Sequence, residues 1–209
     1  MTIDGSPVDL YRLLPAAGEA EIVHTAIRAG TNVLDLGSGT GRIARRLVEL
    51  GHPVLAVDAS PDMLAETGVP TVCARIEDLR LTRRFGGVLL ASHLINTPDP
   101  KGLLATVRHH LADDGHAVIQ WHPPNWFDTV ENGPAGHVGP VKIAMADIRR
   151  ENDRLSAVVH YRAGNEHWEQ PFTAVRLSEQ DLTKTLAHAG LTFQNWLTSD
   201  QTWFTATPH

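Results

Sequence analysis

The run Asn32-Val33-Leu34-Asp35-Leu36-Gly37-Ser38-Gly39-Thr40-Gly41-Arg42-Ile43-Ala44 constrains this chain more than any other feature, because it reads as a buried strand, a glycine-rich turn and a helix start in succession. The apolar residues between Asn32 and Leu36 predict the strand, and Ile43 and Leu47, four apart on one face, predict the helix. Glycines at 37, 39 and 41 remove Cβ atoms from the turn, so a ligand can lie directly on the backbone. Val54-Leu55-Ala56-Val57-Asp58 then predicts a second buried strand ending in a carboxylate, where doubly wound folds hold a ribose diol. The first half of the chain is built to hold a nucleoside.

What is missing narrows the nucleoside. The dinucleotide fingerprint G-x-G-x-x-G needs a third glycine for close helix–strand packing under a pyrophosphate. Arg42 stands at that position. Asp35, inside the strand before the turn, would meet a pyrophosphate with the wrong sign and suits a ligand carrying an ammonium group. Both points disfavour a nicotinamide-dependent oxidoreductase. The pattern D-x-G-x-G-x-G, with an acid ending the next strand, resembles motif I and its acidic partner in class I S-adenosylmethionine-dependent methyltransferases of the small-molecule type.

The resemblance implies one α/β domain over residues 1–209: a doubly wound, seven-stranded, mostly parallel sheet with a closing antiparallel β-hairpin, the Rossmann-like methyltransferase fold, plus an inserted antiparallel β-meander. It implies S-adenosylmethionine as cofactor, held by Asp35, Gly37, Ser38, Gly39, Asp58 and Ala59. Ser60-Pro61-Asp62-Met63-Leu64 carries an N-cap serine, proline at the first helical position and an early acid, so a helix begins directly behind Asp58. By resemblance Met63 packs on the adenine. Thr71 to Ala74 is a short third strand, and Arg75-Ile76-Glu77-Asp78-Leu79 resembles the adenine-binding segment. There Ile76 stands at the family's backbone N–H donor, whereas Arg75 replaces the usual acid, which moves the amino-group contact to Glu77 or a main-chain carbonyl. Ser92 follows the fourth strand, Gly87 to Ala91, at the ligand edge. Tyr11 lies on an N-terminal arm, residues 1–18, that the resemblance folds over the cofactor.

Methyl transfer is a displacement at a sulfonium carbon, so orientation alone supplies much of the acceleration, up to ~7–11 kcal/mol in well-aligned systems. A proton acceptor, where one is needed, is a His, an acid or a Tyr within hydrogen-bond reach. His93, past strand four, and His122, past the fifth strand His116 to Trp121, are the catalytic candidates. Trp121, Trp126, Phe127, Tyr161 and Trp168 read either as a substrate pocket or as core, and core is the simpler reading for each. Catechol-type enzymes place a metal-binding acid after strand four, where Ala91-Ser92-His93 has none, so no metal is expected. Pro123-Pro124-Asn125-Trp126 looks like the signature of nucleobase amine methyltransferases but follows strand five, and is discounted on that ground. The reading is transfer to an O or N atom of a small organic metabolite; the alternative is a cofactor-binding protein of this fold without methyl transfer.

Composition agrees. A net charge of −6 argues against nucleic acid or an anionic membrane as main partner, since backbone binding needs clustered Lys and Arg. The single Cys73 fits a reducing, cytoplasmic setting and falls in an expected core strand as an inert thiol. No leader pattern opens the chain, no apolar run reaches the ~18 residues of a membrane span, and nothing in the sequence sets the oligomeric state.

Elsewhere, Pro7 to Pro15 reads as an irregular arm, Glu19 to Ala29 as a helix capped by Gly30, and Gly102 to Leu111 as a helix whose His109-His110 pair faces solvent. Residues 122–177 are expected to be a loop and β-meander on the substrate side: Asn132 to Pro140 as a glycine- and proline-rich hinge, then strands at Val141 to Ile148, Leu155 to Tyr161 and Phe172 to Leu177. A capping box at Ser178 opens a helix ended by Gly190, and Phe193 to Leu197 with Gln201 to Thr207 form the closing strand pair.

Overall fold

In the computed structural model, which describes residues 7–209, the run from Val33 to Leu90 winds a parallel sheet outward from its first strand. β1 (Val33–Leu36) is buried along its whole length and is flanked by β2 (Val54–Asp58) and β4 (Phe85–Leu90), both parallel to it. Beyond β2 lies β3 (Thr71–Cys73), and beyond β4 lies β5 (Leu111–Gln120). The closing hairpin, β10 (Leu191–Trp196) and β11 (Trp203–Pro208), adds β11 antiparallel to β5, giving the order β10-β11-β5-β4-β1-β2-β3. The chain reverses its direction of growth between β1 and β4. Ligands of doubly wound sheets bind at the carboxyl ends of the strands beside such a switch point.

Alternation along β1 sends Leu34 and Leu36 to one face and Val33 and Asp35 to the other. On the first face they meet Leu103, Leu104 and Val107 of α5 (Lys101–His110), in a core that also includes Leu182 and Leu186 of α7 (Glu179–His188). On the second, Val33 packs with Val23 of α2 (Glu19–Ala26) and Ile43, Ala44 and Leu47 of α3 (Arg42–Glu49). Ser60 caps α4 (Pro61–Leu64) through the Met63 N–H at 3.3 Å, and Ser178 and Asp181 complete the expected capping box on α7. No helix is long and apolar enough to cross a membrane among the described residues.

Residues 133–175 form a separate four-stranded antiparallel sheet in sequence order: β6 (Gly133–Val138), β7 (Val141–Glu151), β8 (Arg154–Ala163) and β9 (Glu166–Val175). Asn152 and Gly164, at φ 55° and 58°, turn the chain at the two expected hairpins. The sheet packs Met145, Leu155, Ala157 and Ala174 on Phe127 of α6 (Pro124–Thr129).

Several expectations are corrected. The stretch expected as a hinge over 132–140 is mostly strand β6: as an edge strand it tolerates Pro134, and an irregular register between Pro134 and Gly136 absorbs the glycines. The arm is not irregular throughout, because Val8–Leu13 forms helix α1 with Leu10 fully buried; residues 1–6 of the arm lie outside the described residues. α2 stops at Ala26, where Ile27 turns extended to reach the core. Cys73 is exposed rather than buried, since β3 is the edge of the sheet. His110 does not face solvent. It is fully buried, with Nε2 accepting from the Leu81 N–H at 3.0 Å and Nδ1 against the Thr106 carbonyl at 2.8 Å. Burial pushes its pKa down, which keeps that acceptor nitrogen neutral.

Candidate active site

The glycine turn is pinned by its neighbours on β2. Gly37 and Ser38 both donate their N–H groups to the Val57 carbonyl, at 2.8 and 2.9 Å, and Gly39 donates to Asp58 Oδ2 at 2.9 Å. The other carboxylate oxygen, Oδ1, accepts from the Ser60 N–H at 2.9 Å. Asp58 therefore ties the turn after β1 to the helix after β2 and spends two of about four acceptor positions doing so. The remaining lone pairs are the ones a diol can use.

The three glycines do different work. Gly37 has φ 75°, which L side chains rarely adopt, and a Cβ there would also push on Leu94 Cδ1 at 2.8 Å, so the turn favours glycine by its backbone conformation first. At Gly41, φ 76°, a Cβ would meet the Thr67 backbone at 2.9 Å. Gly41 thus provides close helix packing, the task of the absent third fingerprint glycine, against a different partner. Arg42 completes the helix start by pairing with Glu19 of α2.

Asp35 is 2% exposed at the floor of this turn. Burial raises its pKa to about 7; Arg42 pulls it down and Asp58 adds to the rise. Among the described residues, the buried side-chain polar atoms without a hydrogen-bond partner are Asp35 Oδ2, Ser38 Oγ and His93 Nδ1. All three belong to residues that the sequence marked for the site. Native interiors leave few such atoms unpaired, so Asp35 Oδ2 and Ser38 Oγ, which line one cavity, are candidate partners for a polar ligand. A buried carboxylate beside a hydroxyl matches an amino-acid ammonium group, which is the end of S-adenosylmethionine that the glycine turn would receive. Asp35 and Ser38 line one cavity together with Tyr11, Gly39, Ala91 and Ser92.

Tyr11 reaches the site from α1. Its carbonyl accepts from Thr40 Oγ1 at 3.1 Å and its hydroxyl donates to Gln170 Oε1 of β9 at 3.1 Å, so the arm bridges the glycine turn and the second sheet. Tyr161 lies close enough to Tyr11 that burial, and then Tyr11, raise its pKa. Met63 is buried behind Asp58. Ile76 presents its Cδ1 3.5 Å from the Cβ position of Gly37, whereas Glu77 packs its side chain on Gly102 at the start of α5. Arg75 is exposed, with Nε 3.9 Å from Glu77 and 3.8 Å from Asp78.

Past β4 the backbone is strained. Ser92 and His93 both sit in the left-handed region, φ 55° and 56°, at a cost of about 1–3 kcal/mol each. Gln120 of β5 holds this turn by accepting the Ser92 N–H at 2.8 Å. The Trp121 backbone beside the His93 ring partly offsets the lowering of its pKa by burial. Its Nδ1 is buried without a hydrogen-bond partner.

His122 stacks on His93 at 3.5 Å and 12°, and Trp126 stacks on the other face of His122 at 3.7 Å and 10°. The Pro123-Pro124 pair starts α6 and brings Trp126 back onto the ring, a role the sequence reading did not assign to it. Asn96, 1% exposed, clamps His122: its Oδ1 accepts the His122 N–H at 2.7 Å, and its Nδ2 donates to the carbonyls of His122 at 3.3 Å and Val175 at 3.0 Å. Burial drives both imidazole pKa values down, to about 4 for His93 and about 2 for His122, with His93 adding to the second shift. Both rings are neutral at physiological pH. Asn96, which the sequence offers either as a ligand contact or as a partner for loop backbone, takes the second role; Gln120 was not a site expectation, since a strand end is visible in sequence but its bonding partner is not.

The sheet order, the acid-flanked glycine turn and the unpaired polar floor define a Rossmann-like S-adenosylmethionine-dependent methyltransferase. A family model described as a methyltransferase domain matches residues 11–195, and the chain belongs to that family. An uncharacterized methyltransferase of Mycobacterium tuberculosis is 32% identical over 99 residues, which cover 45% of this chain and 41% of the relative. A demethylmenaquinone methyltransferase of Tropheryma whipplei is 30% identical over 103 residues, 44% of this chain and 42% of the relative. The chain thus matches about two fifths of the length of these curated relatives. Among solved structures, the sugar N-methyltransferase KedS8 of Streptoalloteichus aligns with TM-score 0.75 and 24% identity, covering 100% of this chain and 95% of that one. The CcbJ methyltransferase of Streptomyces caelestis aligns with TM-score 0.77 and 20% identity, covering 98% and 97%.

Proposed function

We infer that this methyltransferase acts on a nitrogen atom of a small polar metabolite, in a single domain and without a metal at the transfer site. The observation that carries the reading is His93 Nδ1, a buried ring nitrogen with no hydrogen-bond partner just past the carboxyl end of β4. An acceptor in that position selects a nucleophile that still carries a hydrogen. S-adenosylmethionine supplies an electrophilic methyl group on a sulfonium sulfur. Asp35 and Ser38 receive its amino-acid end, Asp58 and Ala59 its ribose, and Met63, Ile76 and Glu77 its adenine side, with Gly37 and Gly39 giving backbone access and Tyr11 closing the arm over it.

With a pKa of about 4, His93 is a poor store for a proton and a dependable hydrogen-bond acceptor at neutral pH. Its role is to orient the nucleophile's lone pair, after which the proton leaves to solvent. His122, at about 2 and enclosed between two rings, supports His93 rather than taking protons itself. Nitrogen over oxygen is favoured by the neighbours: KedS8 is a sugar N-methyltransferase, CalS10 an amino pentose methyltransferase and MtfA a glycopeptide N-methyltransferase. An acidic chain of net charge −6 also suits an amine.

The test is a mass-spectrometric transfer assay with S-adenosylmethionine against paired amino and hydroxy sugars. Methylation of the amine, slowed about 100-fold in turnover by His93→Ala with cofactor affinity kept, is the expected result. Methylation of the hydroxy partners alone, or an unaffected His93→Ala variant, overturns it.

A further inference from the structure

Antiparallel pairing brings two histidines and a glutamate together on the second sheet. Residue 160 of β8 stands opposite Glu169 of β9, and His167 lies two residues before Glu169 on the same face. His160 Nδ1 is 3.1 Å from His167 Nε2 and 3.3 Å from Glu169 Oε1, and His167 Nε2 is 4.0 Å from the same oxygen. Nitrogen and oxygen ligands at ~2.0–2.2 Å around a tetrahedral zinc ion are separated by about 3.3–3.6 Å. The three atoms bracket that spacing, so one cation can touch all of them with only small side-chain rotations.

We propose that His160, His167 and Glu169 form a divalent transition-metal site, with zinc as its natural probe, that staples the β8–β9 hairpin. Two imidazoles and one carboxylate are a ligand set zinc accepts while keeping an open position. Binding the cation would replace the hydrogen bond between His160 Nδ1 and His167 Nε2, each ring then carrying its hydrogen on the remote nitrogen and offering a lone pair to the metal. Ala144 of β7 stands opposite His160, so that row holds no bulky neighbour on β7. Arg162 and Lys142 occupy the adjoining row beside His167, but both are exposed and their repulsion is screened by solvent.

The cluster is separate from the transfer site. Alternation turns Gln170, which accepts from Tyr11, to the opposite face of β9 from Glu169. The sequence reading expected no metal, and the proposed site goes beyond that reading.

Calorimetric titration of the full chain with zinc chloride, repeated with His160→Ala, His167→Ala and Glu169→Gln, tests the assignment. The expected result is one zinc per chain and a rise in Tm with zinc. Each substitution should weaken binding by at least the roughly 10–100-fold seen when an outer partner of a ligand is lost. Cobalt in place of zinc should give the visible absorption of a low-coordinate site. His167 and Glu169 are exposed, so their variants should keep the parent Tm in chelator and an unchanged S-adenosylmethionine affinity. No stoichiometric zinc uptake, or uptake undiminished in the doubly substituted His167→Ala, Glu169→Gln chain, overturns the site and leaves a cross-strand ion pair.

Discussion

The two sheets reach the cleft by different means. The parallel sheet presents mostly backbone and carboxylate: Gly37, Ser38 and Gly39 are fixed by bonds to Val57 and Asp58, and each element of that arrangement lies within a few residues of a strand end. The antiparallel sheet contributes groups whose neighbours are set by register, such as the Gln170 side chain against Tyr11 and the Val175 carbonyl against Asn96. The first kind of site is reusable for one ligand across many proteins. The second can be rebuilt by changing a few exposed strand residues, as a proposed acceptor-specificity surface requires.

The sharpest way to break this contrast is Asp58→Ala. It removes two charge-assisted backbone bonds at once, each worth about 1.5–3 kcal/mol, so S-adenosylmethionine affinity should fall by about 100-fold or more in a calorimetric titration. Retained affinity would show that the turn is held by its glycines alone. Asn96→Ala cuts the link between the two sheets instead. It leaves the His122 and Val175 backbone groups unpaired in a buried site, and urea unfolding should report a loss of about 3 kcal/mol. A loss below about 1 kcal/mol would mean that the sheets hold together without the clamp.

Asp35 sharpens the contrast through pH. Its folded pKa is raised to about 7, so below that pH the carboxyl is neutral and binds an ammonium group poorly. Cofactor affinity should rise about tenfold per pH unit up to roughly pH 7 and then level off, and Asp35→Asn should flatten the curve. The same raised pKa has the opposite consequence for the cofactor-free protein. A raised carboxyl stabilises the fold below its unfolded pKa, and that contribution is lost as pH rises through about 7. The smallest effect is expected at the sheet edge: Cys73→Ser should change stability by less than about 0.5 kcal/mol, and a small thiol reagent should label Cys73 in the folded protein.

The cofactor half was legible because its signals are local. Strand, glycine turn, helix start and terminal acid occur in one continuous stretch, and the structure places them as the periodicity and turn chemistry required. The errors fall where burial depends on distant chain. Cys73 and His110 exchange their expected environments because sheet order makes β3 an edge and folds the loop at Leu81 over α5. The glycine- and proline-rich stretch after Asn132 carries every mark of a loop, yet becomes a strand because β7 offers it a ladder.

By itself, the sequence determined the doubly wound half, the nucleoside turn and the side chains available at the strand ends, since each depends on contacts a few residues apart. Only the tertiary structure decided that His93 Nδ1 is buried without a partner, that His122 lies between His93 and Trp126, and that His160, His167 and Glu169 converge. Those arrangements depend on register between strands and on backbone bonds spanning tens of residues, and no local pattern of residue types encodes either.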